Sequence, residues 1–107
     1  EVLFVVDISG SMKGRTIEAT KSAIVTALSK LDQKDSFSIM AFNDQTFLFS
    51  STLELATKEA LDNANEWIVM NFIPGGGTNM SIALDKVIFF LNFNFFVQKT
   101  DIKALVY

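Results

Sequence analysis

The sequence predicts a three-layer α/β domain, in which helices cover both faces of a largely parallel, Rossmann-like sheet. The first observation is the unbroken apolar run from Val2 to Val6, which is typical of a strand buried on both faces. The second is the helical spacing of apolar residues from Arg15 to Leu31, directly after that strand. The third is the alternation of strand and helix patterns along the 107 residues, which suffice for one domain.

The first half of the chain predicts a strand, a helix and a hairpin. A short loop containing Ser and Gly joins the first strand to the first helix, and a polar turn at residues 32–35 follows the helix. A second, mostly apolar strand is predicted from Phe37 to Phe42. Residues 43–45 form a tight turn, and Thr46 to Ser50 form a third strand. This third strand is expected at an edge of the sheet.

The second half predicts two helices separated by a glycine-rich break. Thr57 is a candidate N-cap for the second helix, and Glu59 is favourable in its first turn. The run from Pro74 to Gly77 interrupts the chain before a third helix, which should start near Asn79 or Met80. Four residues of the third helix are expected to point inward: Ile82, Ala83, Val87 and Leu91.

Composition excludes several functions. The formal net charge is −3 and there is no basic stripe, so the sequence does not support nucleic-acid binding through phosphates. There is no Cys, so disulfides are impossible. There is no His either, which removes the commonest general base and the commonest transition-metal ligand and argues against zinc, copper and Ser-His-Asp chemistry. The apolar stretch from Val87 to Val97 is interrupted by Asn92 and Asn94 and is shorter than the roughly 20 residues that span a bilayer.

The start of the chain carries no visible signal peptide, because Glu1 leads directly into a strand pattern. This start is interpreted as a cut within a longer protein. The compartment is therefore left open by the sequence.

Oxygen-bearing side chains follow the first strand at alternate positions. Asp7, Ser9 and Ser11 provide a carboxylate and two hydroxyls, which are the hard ligands that Mg²⁺ prefers. Gly10 allows a tight turn between the two serines. A second loop, 75–79, brings Thr78 to the start of a helix. Because ligands of such sheets bind at the carboxyl ends of strands, the two loops could share one cation and its anionic ligand.

The same residues carry a family resemblance. Asp7-Ile8-Ser9-Gly10-Ser11 resembles the Asp-x-Ser-x-Ser element of the von Willebrand factor type A domain, and the sequence 76–79 is similar to the family's second element, which supplies a threonine ligand. The segments 4–7 and 35–39 resemble the inter-alpha-trypsin inhibitor heavy-chain type. The resemblance covers residues 1 to about 91.

The resemblance implies a metal-ion-dependent adhesion site. Mg²⁺ (or Mn²⁺) would be held by Asp7, Ser9, Ser11 and Thr78, and a protein partner's Asp or Glu would complete its shell. The implied function is a protein-binding module and not an enzyme. Three further residues near the two loops are candidates for a partner-binding rim: Asn43, Asp44 and Asn79. The first two lie in the hairpin turn, where Asn and Asp more often serve only to form the turn.

One element of the family is missing. The family's third element is a later strand that ends in an Asp, usually as Thr-Asp-Gly, and no Thr-Asp-Gly occurs here. Thr100-Asp101 imitates it weakly, which makes Asp101 a weak candidate ligand. Residues 1–91 are therefore interpreted as the N-terminal part of the domain, and 92–107 as an atypical tail. The domain's C-terminal strands are expected to be missing, which would leave the first strand at an edge.

Other interpretations remain open. Asp-x-Ser-x-Ser can be ordinary turn chemistry, since Asp and Ser satisfy nearby backbone groups. The run 75–77 could be a phosphate cradle, but it lacks the lysine of a P-loop. A Mg²⁺-dependent phosphohydrolase using Asp7 would need a second carboxylate and a general acid or base. A non-functional, truncated product is the remaining alternative.

Overall fold

The computed structural model describes residues 1–98 and 103–106, and within them a mixed sheet is covered by three α-helices. A short 3₁₀ turn, Gly10–Met12, follows the first strand. The strands are β1 (Val2–Asp7), β2 (Ser36–Phe42), β3 (Thr46–Leu48), β4 (Glu54–Leu55) and β5 (Lys103–Val106). The helices are α1 (Arg15–Ser29), α2 (Lys58–Asn71) and α3 (Met80–Gln98).

The strand order is β3-β2-β1-β5, with β4 also paired to β2. β1 runs parallel to β2, and their register joins Val2 to Phe37 and Asp7 to Phe42. β3 runs antiparallel to β2 and forms the edge of the sheet. The predicted architecture of parallel central strands with a hairpin at one edge is therefore confirmed.

The other neighbour of β1 differs from the prediction. β5 pairs with β1 in parallel from Lys103 opposite Val2 to Val106 opposite Val5, so the expectation that the first strand lies at an edge is wrong. The last residues of the chain supply a strand where none was expected. The physical reason is that β1 is buried on both faces, and its backbone groups need partners along both edges.

The alternation of side chains along β1 builds two cores. Phe4 and Val6 point to the face covered by α1 and α2, whereas Leu3 and Val5 point to the face covered by α3. The three predicted layers are therefore present, and they explain the unbroken apolar run. On the first face, the buried helix residues are Ile17, Ile24, Leu28, Ala64 and Ile68.

The third helix buries a different set of residues from the one predicted. Ala83 is buried, and Val87 and Leu91 are partly buried against the core, as expected. Ile82 is 42% exposed, so its predicted inward position is wrong, and Phe90 is buried. Because α3 is apolar on nearly every side, spacing alone cannot identify the face that meets the sheet.

Helix boundaries follow local chemistry. The Thr57 side chain accepts a hydrogen bond from the Ala60 amide at 3.2 Å, which confirms the predicted N-cap of α2.

The helix α3 continues across residue 92, and the division of the chain into 1–91 and 92–107 stays a prediction. In the described part of the chain, no helix has the length and apolar character needed to cross a membrane.

Candidate metal centre

The centre is built first by the turn that follows β1. The Asp7 carboxylate Oδ1 accepts a 2.8 Å hydrogen bond from the Ser9 amide, which folds the chain back at the end of the strand. The hydroxyl oxygens of Ser9 and Ser11 lie 3.0 Å apart and share a hydrogen bond. Asp7 is half-buried, Ser9 is buried and Ser11 is exposed. Three oxygen-bearing residues therefore lie within one turn at the carboxyl end of β1.

The glycine loop 75–79 is hydrogen-bonded to this turn. The Gly10 amide donates to the Gly76 carbonyl at 3.0 Å, and the Gly75 amide donates to the Ile8 carbonyl at 3.0 Å. A Cβ atom on Gly10 would lie 3.4 Å from the Gly76 carbonyl oxygen, which is the short limit of ordinary van der Waals contact. The two predicted loops therefore meet through a pair of backbone hydrogen bonds.

Thr78 lies in the loop that meets Gly10, two residues after Gly76. Its side chain is exposed, and it makes no hydrogen bond to any other residue within 1–98 and 103–106. The fold thus brings the loop of Thr78 to the turn of Asp7, Ser9 and Ser11, without a hydrogen bond between the Thr78 hydroxyl and these side chains.

The hairpin turn between β2 and β3 is the third part of the centre. The Asn43 side chain donates from Nδ2 to the Gly75 carbonyl at 3.0 Å and accepts at Oδ1 from the Gln45 amide at 2.8 Å. The Asn43 carbonyl also accepts from the Asn79 amide at 3.0 Å. Asn43 therefore joins the hairpin turn to the glycine loop. Sequence reasoning missed this role, because an Asn in a turn carries no signal for a distant partner.

The other two predicted rim residues lie beside the same loop. Gly76 has a positive φ of 73°, and a Cβ atom built on it would lie 3.0 Å from Asp44 Oδ1. Asp44 is exposed. Asn79 Oδ1 accepts from the Ile82 amide at 3.1 Å and so caps the start of α3. Their predicted role in choosing a partner stays a prediction.

The weak candidate Asp101 lies outside the described residues. Lys103, two residues later in the sequence, pairs with Val2 at the opposite end of β1 from Asp7. Within 1–98 and 103–106, no group of three or more His, Cys, Asp or Glu side chains is placed to hold a metal ion. The candidate donor set is therefore one carboxylate accompanied by hydroxyl groups.

The donor set fits a small hard cation. Two oxygens that are bound at right angles to Mg²⁺, each at 2.0–2.1 Å, are separated by about 2.9 Å. The Ser9 and Ser11 hydroxyls are already 3.0 Å apart, so they could occupy neighbouring coordination positions with little rearrangement. Neutral and anionic oxygens are also the ligand types that Mg²⁺ and Mn²⁺ take.

Comparisons with known proteins agree with this fold. The chain is 40% identical over 91 residues to inter-alpha-trypsin inhibitor heavy chain H2 of Mesocricetus auratus and of Homo sapiens, covering 85% of this chain and 10% of each relative. The chain thus spans about a tenth of the length of these curated relatives. A solved structure, a von Willebrand factor type A protein from Catenulispora acidiphila, superposes with a TM-score of 0.79 at 24% identity, covering 96% of this chain and 24% of that chain.

A family model described as the von Willebrand factor type A domain matches residues 1–107. Its match includes the residues 92–107 that the sequence pattern sets apart, whereas the alignments to the two heavy chains cover 91 residues. The identity to the heavy chains also agrees with the resemblance of segments 4–7 and 35–39. The chain therefore belongs to the von Willebrand factor type A domain family.

Proposed function

We propose that this domain is a metal-ion-dependent protein-binding module. In this proposal Asp7, Ser9, Ser11 and Thr78 hold Mg²⁺ (or Mn²⁺), and the partner protein offers an Asp or Glu carboxylate. The observation that carries it is the 3.0 Å separation of the Ser9 and Ser11 hydroxyls on a turn that is hydrogen-bonded to the loop of Thr78. The bound cation would supply an electrophilic site for a carboxylate oxygen.

The charge of the donor set supports the choice of an acidic partner. Asp7 contributes one negative charge, and the hydroxyls of Ser9, Ser11 and Thr78 are neutral. A divalent ion held by these residues keeps a net positive charge, so it attracts a further carboxylate. The exposure of Ser11 and Thr78 leaves this side of the centre open to a partner. Asp44 and Asn79 flank the opening and would contact the partner around its acidic residue.

Binding is a better account of these residues than phosphohydrolysis. The chain has no His and no Cys to act as a general acid or base. A metal-assisted hydrolase also needs a second carboxylate at the metal. Within 1–98 and 103–106, no group of three or more His, Cys, Asp or Glu side chains is placed to hold a metal ion. We therefore propose no catalytic activity.

The first experiment measures metal binding by the 107-residue chain. Isothermal titration calorimetry with MgCl₂ and MnCl₂ should show one site in the wild type, and S11A should weaken it by at least about tenfold, a loss comparable to that of one charge-assisted hydrogen bond. S22A removes a hydroxyl from the exposed face of α1 and should leave the affinity unchanged. A wild type that takes up neither ion would contradict the metal assignment and favour a non-functional fragment.

The second experiment tests the partner chemistry. Immobilised peptides that contain a single Asp are compared with the same peptides carrying Asn at that position. Capture of the domain should require both the Asp and Mg²⁺, and EDTA should abolish it. Equal capture by the Asn peptides would refute the carboxylate part of the proposal, even if the metal binds.

A further inference from the structure

A second candidate site lies on the face of the sheet that α3 covers. A cavity of about 410 Å³ opens between α3 and the β2–β3 side of the sheet, which is within the usual range for small-molecule pockets. None of the proposed metal ligands lines it. The lining residues that matter here are Met40, Leu48, Lys86, Phe89, Phe90 and Phe93.

Buried polar side chains hold the walls of this cavity. Asn94, at the end of the helix segment that lines the cavity, is fully buried and donates to the Phe90 carbonyl at 2.9 Å and to the Ser51 carbonyl at 3.3 Å. The buried Ser38 hydroxyl donates to the Ser50 carbonyl at 2.9 Å. The segment 50–52 is thus tied both to α3 and to β2. A cavity with fixed walls can bind a ligand with little cost of ordering.

The lining chemistry is amphipathic. The rings of Phe89 and Phe93 stack with centroids 6.1 Å apart, and these side chains remain 69% and 42% exposed. Lys86 lies one helical turn before Phe89 and Phe90 and is exposed. Among residues 1–98 and 103–106, it is the one charged residue that lines the cavity. It forms no ion pair with another residue in the described part of the chain. The cavity therefore offers an apolar wall of aromatic rings with the ammonium group of Lys86 at its rim.

We propose that this cavity binds a small amphiphile that carries one anionic head group, such as a fatty acid of medium length. The alkyl chain would lie against Met40, Phe90 and the stacked Phe89 and Phe93, where it covers aromatic surface that water otherwise contacts. The carboxylate would pair with Lys86. A second copy of this chain is the competing occupant, and sedimentation tests it below.

Calorimetric titration of the 107-residue chain with octanoate, decanoate and dodecanoate, each below its micelle concentration, tests the apolar part. The affinity should rise by up to about fourfold per added methylene, since each buried CH₂ contributes about 0.8 kcal/mol, until the cavity is full. F89S should lower the affinity for decanoate by about tenfold. V69S is the matched control, because Val69 is 71% exposed on α2, on the opposite face.

Charge reversal tests the head group. K86E should weaken decanoate binding by about tenfold, whereas K58E on α2 should leave it unchanged. Decanol should bind the wild type more weakly than decanoate does. Because decanol is uncharged, it should bind K86E and the wild type with equal affinity. The proposal is overturned if the wild type binds no decanoate, if F89S and K86E bind like the wild type, or if sedimentation shows a dimer that excludes the ligand. Near-UV circular dichroism verifies that each variant is folded.

Discussion

The side chain of Asn43 donates a 3.0 Å hydrogen bond to the carbonyl of Gly75, 32 residues later in the chain. This bond joins the turn after β2 to the loop that carries Thr78. Since the same loop also bonds to Ile8 and Gly10, three separate segments meet at the carboxyl ends of β1 and β2. The proposed metal centre therefore depends on a residue that is not itself a proposed ligand.

Replacing Asn43 by Ala should lower the free energy of unfolding by about 1–2 kcal/mol, because one half-buried and one exposed hydrogen bond are lost. Urea denaturation measures this. The affinity for Mg²⁺ should also fall, since the loop of Thr78 loses its tie to the hairpin turn. N65A, which removes an exposed amide from α2, should change the stability by less than about 0.5 kcal/mol. Equal stability of N43A and wild type would show that the Asn43 bond contributes nothing.

Gly76 should tolerate substitution poorly. G76A should cost about 1–2 kcal/mol, because a residue with a Cβ is strained at φ 73° and the new atom would lie 3.0 Å from Asp44 Oδ1. G77A, whose Cβ would meet no atom within 4 Å, should cost less than about 0.5 kcal/mol. The double variant D44A/G76A should be more stable than G76A, because it removes the close contact with the Asp44 side chain. It should stay less stable than D44A, because the backbone strain at positive φ remains. If thermal or urea denaturation shows that G77A is less stable than G76A, this account is contradicted.

Replacing Asp7 by Asn separates metal binding from folding. The Asn oxygen can still accept the bond from the Ser9 amide, so stability without metal should change by less than about 1 kcal/mol. The negative charge is lost, and the stabilisation by Mg²⁺ should disappear. In the wild type that stabilisation should be about 2.7 kcal/mol at a hundredfold excess over Kd. Melting curves with Mg²⁺ and with EDTA measure it, and D62N on exposed α2 should keep the full shift.

The N-cap of α2 gives a test of local structure alone. T57A should lower the free energy of unfolding by about 1 kcal/mol, because the Ala60 amide loses its acceptor. T57S keeps a hydroxyl that can accept the same bond, so it should lower the free energy of unfolding by only a few tenths of the loss in T57A. Neither variant should change the affinity for Mg²⁺. Thr57 follows Ala56, which is hydrogen-bonded to Asp35 at the amino end of β2, whereas the loops of Asp7 and Thr78 lie at the carboxyl ends of β1 and β2. If T57A and T57S lower the free energy of unfolding equally, the capping hydrogen bond does not contribute to stability.

Several features could be predicted because their causes are local. The unbroken run Val2 to Val6 requires burial on both faces, which implies the layered sheet. Asp7, Ser9 and Ser11 are close in sequence, so the turn that brings their oxygens together needs only neighbouring residues. The cap by Thr57 likewise spans three residues. The fold class, the family and the candidate ligands therefore follow from short-range patterns.

Other features were decided by the tertiary structure. Two of them join residues that are distant in sequence: the pairing of Lys103–Val106 with β1, and the bond from Asn43 to Gly75. A third is the choice of which side of α3 is buried, which places Phe90 and not Ile82 against the core. Their physical cause is the packing and register of the sheet: β1 needs backbone partners on both edges, and α3 turns its best-fitting side to the sheet. A helix that is apolar all round, or an Asn in a turn, carries no local record of which distant group it will meet.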